Sequence, residues 1–197
     1  MIRQTKAFHL AILALLIAII ILQSFVPFLG YIPVGPVNIT IVQITVIIAA
    51  VLLGPKDGAL LGLVWGGLSW IRAFAAPTSP VSTLVFTNPL ISVVPRVLVG
   101  FLAGYVFLWL TKAHWHQLWA LVVTGGVGAA LNTILVVGLI ALLYRTPAVA
   151  HAYGVANPSL LTKVLMGLVG TNGIPELILS AIVVPIIATP LLKLWRR

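Results

Sequence analysis

The sequence predicts an all-α integral membrane protein: six transmembrane helices in one bundle, with both termini cytoplasmic. Three observations carry that prediction. Of 197 residues, 61% are hydrophobic and only 7% charged, with a mean hydropathy of +1.22; a soluble domain carries about 25% charged residues. The apolar residues fall into six runs, most close to the ~20 residues that cross the hydrocarbon core of a bilayer. Nearly all the basic residues lie at the ends of those runs. Six runs leave no room for a soluble domain, so residues 1–197 read as a single membrane domain.

The first span is read from Ala7 to Val26, stopping at Pro27. Its basic start resembles a secretory signal, but the apolar run is too long for one and no small-x-small cleavage site follows. Phe28–Val37, rich in Pro and Gly, reads as a loop. The second span runs from Asn38 to Leu53. Gly54-Pro55-Lys56-Asp57-Gly58 is a tight turn, and the third span follows from Gly58 to Ala75. Ala76–Pro89, with its prolines and hydroxyl residues, is a longer loop. The fourth span covers Leu90–Leu110. A short polar turn, Thr111–Gln117, holds Lys112, His114 and His116. The fifth covers Leu118–Tyr144, and Arg145–Pro158 is a loop. Leu160–Val169 reads as a short interfacial or re-entrant helix. The sixth span covers Gly173–Leu194 and ends in Trp195-Arg196-Arg197.

Charge sets the expected orientation. Six spans place Arg3, Lys6, Lys56, Lys112, Lys193, Arg196 and Arg197 on one side and Arg145 and Lys163 on the other. The richer side is cytoplasmic by the positive-inside rule. These residues read as orientation signals and contacts with anionic lipid, not as a nucleic-acid surface.

With that orientation, polar residues gather in the outer halves of the spans. Asn38, Thr40, Gln43 and Thr45 open span 2, whose remainder is apolar. Gly58, Gly62, Trp65, Ser69 and Arg72 form one stripe of span 3, small at the cytoplasmic end and polar outside. Ser92 and Arg96 open span 4, with Gly100 and Gly104 continuing inward. Asn172, Glu176 and Ser180 recur every four residues, and Asn132 lies at mid-depth beyond Gly125 and Gly128. Small residues let the inner halves pack closely. The outer halves converge polar groups into a pocket without a polar path to the cytoplasm. Asn88, in the outer loop before span 4, joins the candidate lining.

Several chemistries are excluded. With no cysteine there is no disulfide and no thiolate metal site. Gly125-Gly126-Val127-Gly128 lacks the Gly-Lys-Ser/Thr of a phosphate loop and sits inside an apolar run. His114 and His116 flank Trp115 in a cytoplasmic turn and read as interfacial anchors. No metal, cofactor or catalytic residue is expected. A charge near the bilayer centre costs ~2.5–3.5 kcal/mol and marks a function or a buried partner. Either Arg96 therefore pairs with Glu176, holding spans 4 and 6 together, or Arg96 or Arg72 holds a substrate carboxylate, which a guanidinium does in a bidentate manner; the two readings are compatible, with Arg96 on Glu176 and Arg72 on substrate. On span 1, Ala7, Ala11, Ala14 and Ala18 form a small-residue stripe. It is either internal packing or a docking face for another membrane subunit.

Several segments together resemble a known family: the Gly30–Gly35 run, Gly35-Pro36-Val37-Asn38, Leu53-Gly54-Pro55-Lys56-Asp57-Gly58-Ala59-Leu60-Leu61-Gly62-Leu63, Val94-Pro95-Arg96-Val97-Leu98-Val99-Gly100 and Asn172-Gly173-Ile174-Pro175-Glu176. In order along nearly the whole chain, they resemble the S components of energy-coupling factor (ECF) vitamin transporters, within them the pantothenate-type group. Where that group often reads His-Ile-Pro-Val-Ile-Ile-Gly, this chain reads Gln43-Ile44-Thr45-Val46-Ile47-Ile48-Ala49. The resemblance implies a six-helix bacterial membrane protein that captures a vitamin from outside. It implies partners: a transmembrane T subunit, met at Ala14 and Ala18, and two ATPase subunits. The residues expected to line the vitamin site are Asn38, Gln43, Trp65, Ser69, Arg72, Asn88, Arg96, Asn132, Asn172 and Glu176. Other vitamins (folate, riboflavin, a pyridoxine type) and a small autonomous secondary carrier are the alternatives. A carrier of that kind usually shows internal repeats or helices broken at mid-membrane, and none is seen in the sequence.

Overall fold

The computed structural model describes residues 6–26, 28–34, 37–77, 79–155 and 157–195, without the side chains of Pro33, Val34, Val37, Asn38, Pro80 and Trp195. The expectations for Arg3, Pro27, Gly35, Pro36, Arg196 and Arg197 fall outside the described residues. Five helical segments are long and apolar enough to cross a membrane: α1 (Lys6–Phe25), α3 (Pro55–Ala75), Pro89–Lys112, α7 (Gln117–Leu143) and Pro158–Leu194. A sixth apolar helix, α2 (Val42–Leu53), has 12 residues. At 1.5 Å per residue it extends ~18 Å, short of a ~30 Å hydrocarbon core.

That shortfall corrects the expectation of helix from Asn38. Residues 37–40 instead pair as a strand: β1 (Tyr31–Val34) and β2 (Val37–Thr40) form an antiparallel hairpin, with Tyr31 opposite Thr40 and Val34 opposite Val37. Its connection is Gly35-Pro36, and Pro cannot continue a helical hydrogen-bond ladder. The β-branched Val37, Ile39 and Thr40 suit extended backbone. The segment Phe28–Val37, read as a loop, therefore contains ordered strand, and the bundle carries a hairpin above α2. Such backbone is tolerated at membrane depth only where protein or a polar cavity satisfies it. Here Ile41 N–H bonds Gly30 O at 2.8 Å.

The other connections also differ from plain loops. Ala76–Pro89 contains α4 (Pro80–Val85), capped by Ser79, and α5 (Pro89–Ser92) follows, capped by Asn88. The helix breaks at Val93, two residues before Pro95, and resumes as α6 (Val94–Lys112). Arg145–Pro158 contains α8 (Pro147–Ala152), capped by Thr146. α9 (Leu161–Leu168), read as a short separate helix, is continuous with the last span. It runs through a wide turn at Val169–Gly173 into α10 (Ile174–Trp195), making one continuous helical segment.

Three apolar clusters organise the packing. Ile47, Val99, Ala103, Leu121 and Val184 belong to a core shared by α2, α6, α7 and α10. Ile20, Val42, Val46, Leu61 and Trp65 join α1 and α2 to α3. Val85, Ile91, Ile140, Val149, Tyr153 and Leu165 gather α4, α5, α8 and α9 over the end of α7, at the same end as the hairpin. Glycine permits the closest helix approach. A Cβ on Gly62 would overlap the carbonyl of Arg96, and Gly58 and Gly100 lie against each other's backbone. Lacking a hydrophobic drive between helices in lipid, such contacts supply association through dispersion. They also set the register of α3 against α6, and thereby of Trp65 against Arg96.

Only Ile20 and Ser24 of α1 are buried. The residues that pack it inward are Leu13, Leu16, Ile17 and Ile20. Ala7, Ala11, Ala14 and Ala18 lie on a different side and are all exposed, so the stripe is not internal packing within this chain.

Candidate binding site

The polar residues meet where the hairpin caps α2. Tyr31, the first residue of β1, is the centre of one group. Its hydroxyl accepts a hydrogen bond from Trp65 Nε1 at 2.9 Å and lies 3.3 Å from Ser69 Oγ. The Arg72 guanidinium stands 4.6 Å from the centre of its ring. Trp65, Ser69 and Arg72 are thus brought together by one α3 face, as the four- and three-residue spacing requires. Their partner comes from a segment 34 residues or more away in sequence.

Arg96 continues this cation–aromatic group. Its guanidinium lies 5.2 Å from the Trp65 ring and 5.1 Å from the Phe86 ring, within the range of cation–π attraction. Nη1 donates to Ile91 O at 2.5 Å, an acceptor left free where α5 breaks into α6. Nε is buried without a hydrogen-bond partner among the described residues. Arg96 and Glu176 do not form an ion pair; the close contact of basic and acidic side chains among the described residues is His9 Nε2 to Asp57 Oδ2 at 3.1 Å, at the opposite end. Of the two readings of Arg96, direct pairing with Glu176 is therefore not realised.

Glu176 belongs to a second group. One carboxylate oxygen accepts the backbone N–H of Thr40 at 2.6 Å, satisfying the last residue of β2, and the other accepts from Gln43 Nε2 at 3.4 Å. Asn132 reaches the same level from α7. Gly128 packs against the Ile47 side chain, and Asn132 and Gln43 each lie one turn from that contact toward the hairpin. Gly125 abuts Ser180 and Gly173 abuts Thr133, which set α10 against α7 so that Glu176 falls between. Gln43 Oε1 and Asn132 Oδ1 are buried and have no partner among the described residues.

The remaining candidates stand differently. Asn172 lies in the wide turn before α10; its Oδ1 accepts from Thr171, and its Nδ2 is buried without a partner among the described residues. Asn88 is not brought to either group. Its Oδ1 caps Leu90 N–H at 2.9 Å and its Nδ2 donates to the Tyr144 hydroxyl at 3.3 Å. Asn38 is paired in the hairpin opposite Pro33, and its side chain lies outside the description.

The sequence reading missed Tyr31, Phe86 and the backbone of Thr40. All three lie in segments treated as connections or span ends. The available signal was an aromatic residue inside a Gly- and Pro-rich segment, Gly30-Tyr31-Ile32-Pro33. Chemically, the site combines two guanidiniums with one carboxyl group. Donors and aromatic faces lie on one side, and acceptors on the other. Below them Ile47, Val99 and Ala103 form a wholly apolar layer. The arrangement suits a small anion with hydroxyl or amide groups and contains no acid–base pair or metal-ligand cluster among the described residues.

Residues 8–188 match the family described as "ECF transporter, substrate-specific component". The chain is 38% identical to a protein of Leuconostoc mesenteroides subsp. mesenteroides named "Pantothenate transporter PanT", over 98% of this chain and 97% of the relative. It is 32% identical to one of Lactococcus lactis subsp. cremoris named "Pantothenic acid transporter PanT", over 97% of each chain.

Proposed function

This chain belongs to the substrate-specific components of ECF transporters, membrane proteins of the cell surface, and from that premise we propose that it captures pantothenate from outside the cell and delivers it through a T subunit energised by two ATPase subunits. The names of the two relatives support the choice of vitamin. The observation that carries it is Arg96: a buried cation with no carboxylate partner, an unfilled donor, and a second cation, Arg72, on the same aromatic group. An uncompensated buried charge is costly, and a ligand carboxylate compensates it through charge-assisted hydrogen bonds.

The hairpin end faces outside and both termini face the cytoplasm, with α2 and the hairpin together occupying the place of a sixth span. The exposed Ala7–Ala18 side of α1 meets the T subunit. ATP hydrolysis belongs to the partners. The test is equilibrium titration of the purified chain, with mass spectrometry of any co-purified ligand. Pantothenate binding in the nanomolar range, about −12 kcal/mol, is expected, with no accumulation by the isolated chain in energised vesicles. Transport by the chain alone supports the secondary-carrier reading instead.

A further inference from the structure

The three acceptors contributed by α2, α7 and α10 have an imbalance that the cation–aromatic group does not relieve. Gln43 uses its Nε2 on Glu176, which turns its Oε1 away as an acceptor. That oxygen and Asn132 Oδ1 are buried and unpartnered among the described residues. The Glu176 carboxylate accepts from the Thr40 N–H, the Thr40 hydroxyl and Gln43 Nε2, fewer than the roughly four lone-pair sites a carboxylate offers. Buried acceptors without donors are expensive, and each calls for an N–H or O–H. A ligand carboxylate cannot supply one, and beside Glu176 it would meet a like charge. Hydroxyls can donate. Pantothenate has two hydroxyls at the end opposite its carboxylate, and one amide N–H between.

We propose that Gln43, Asn132 and Glu176 read the hydroxyl-bearing end of the ligand, so that pantothenate lies with its hydroxyls at these acceptors and its carboxylate toward Arg72 and Arg96. This rests on the pantothenate reading. The separation follows from the contacts: the acceptors sit one turn from the Ile47–Gly128 contact on α2 and α7, whereas the Arg96 guanidinium is held between the Trp65 and Phe86 rings. The gem-dimethyl group between the hydroxyls then meets the apolar layer of Ile47, Val99 and Ala103. Selectivity has two independent parts, one for the anion and one for the diol.

The experiment titrates the full chain in detergent or nanodiscs with four probes: pantothenate, two analogues each lacking one hydroxyl, and pantothenyl alcohol, whose carboxylate is replaced by CH2OH. A site built around a hydroxyl rejects the analogue without it, because its own polar groups are left unpaired. The wild type is expected to bind at least one deoxy analogue ~10-fold or more weaker than pantothenate. In Asn132→Leu or Gln43→Leu that ratio falls to within about threefold, while the ratio for pantothenyl alcohol persists. In Arg96→Gln the pattern reverses. Equal binding of both deoxy analogues by the wild type overturns the inference without any variant, so a misfolded variant does not rescue it. An unchanged deoxy ratio in both folded leucine variants also overturns it. Absence of pantothenate binding removes the underlying reading, and the inference with it.

Discussion

At the scale of single residues, Arg96 decides most. Its charge is held by two aromatic faces and one carbonyl, not by Glu176. The two residues should therefore behave differently when neutralised. Arg96→Gln removes a cation and is expected to weaken pantothenate binding by at least ~1.5 kcal/mol, the low end for a hydrogen bond to a charged group. Glu176→Gln keeps an acceptor for Thr40 N–H and removes a charge of the ligand's own sign, so its affinity loss is smaller. Arg72→Gln is expected to lower affinity with little change in melting temperature, because Arg72 is half-buried and touches only the Tyr31 ring among the contacts described. Ligand titration and thermal denaturation of the three variants check this, and equal effects of Arg96→Gln and Glu176→Gln would restore the ion-pair reading. Trp65, Ser69 and Arg72 were legible as one helix face because their spacing alone defines it. Tyr31 was not, since its role depends on a strand that brings residues distant in sequence together.

At the scale of elements, α1 and the hairpin carry the predictions. α1 is fastened to the bundle by one apolar face, by Thr45 Oγ1 donating to Gln23 Oε1 at 2.9 Å, and by the His9–Asp57 pair. Its alanine side is free. Ala14→Trp or Ala18→Trp is expected to abolish uptake through the complete transporter, yet leave pantothenate affinity within about threefold, ~0.7 kcal/mol. Loss of ligand binding in either variant would mean the side supports the site instead. The hairpin touches α3 through Tyr31 and α10 through Thr40, and the segment before α5 is tied to α3 by Trp70 Nε1 donating to Thr87 O at 2.8 Å. Both segments border the cations. Pantothenate should therefore slow hydrogen exchange in residues 28–41 and 79–88, where opening of such covers is costliest once ligand is bound. Exchange that is identical with and without ligand argues against their closing over it. The sequence read Phe28–Val37 and Ala76–Pro89 as loops, from their proline, glycine and hydroxyl content. That one is a strand pair and the other partly helical depended on pairing and capping that composition does not express.

At the scale of the whole molecule, orientation is the open quantity, and the chain is suited to measuring it. It contains no cysteine, so single introduced thiols report without background. Lys112→Cys is expected to react with a membrane-impermeant reagent only after the cytoplasmic side is opened, and Lys163→Cys in intact cells; both side chains are exposed. The reverse pattern would invert the reading of the hairpin end as the outer surface. By itself, the sequence determined that this chain lives in a membrane, which runs cross it as long helices, and that its few polar groups favour one end. Those properties follow from local quantities: hydropathy summed over ~20 residues, helical spacing, and charge at the ends of runs. Tertiary structure decided that residues 37–40 are strand and that Arg96 faces rings in place of a carboxylate. It also decided that Asn88 caps α5 and bonds the Tyr144 hydroxyl, and that Gln43, Asn132 and Glu176 share a level. Each of these depends on how close two distant backbones come, set at Gly62 against Arg96, Gly100 against Gly58 and Gly128 against Ile47. A missing Cβ is visible in a sequence, but the partner that fills its space appears only when the chain is packed.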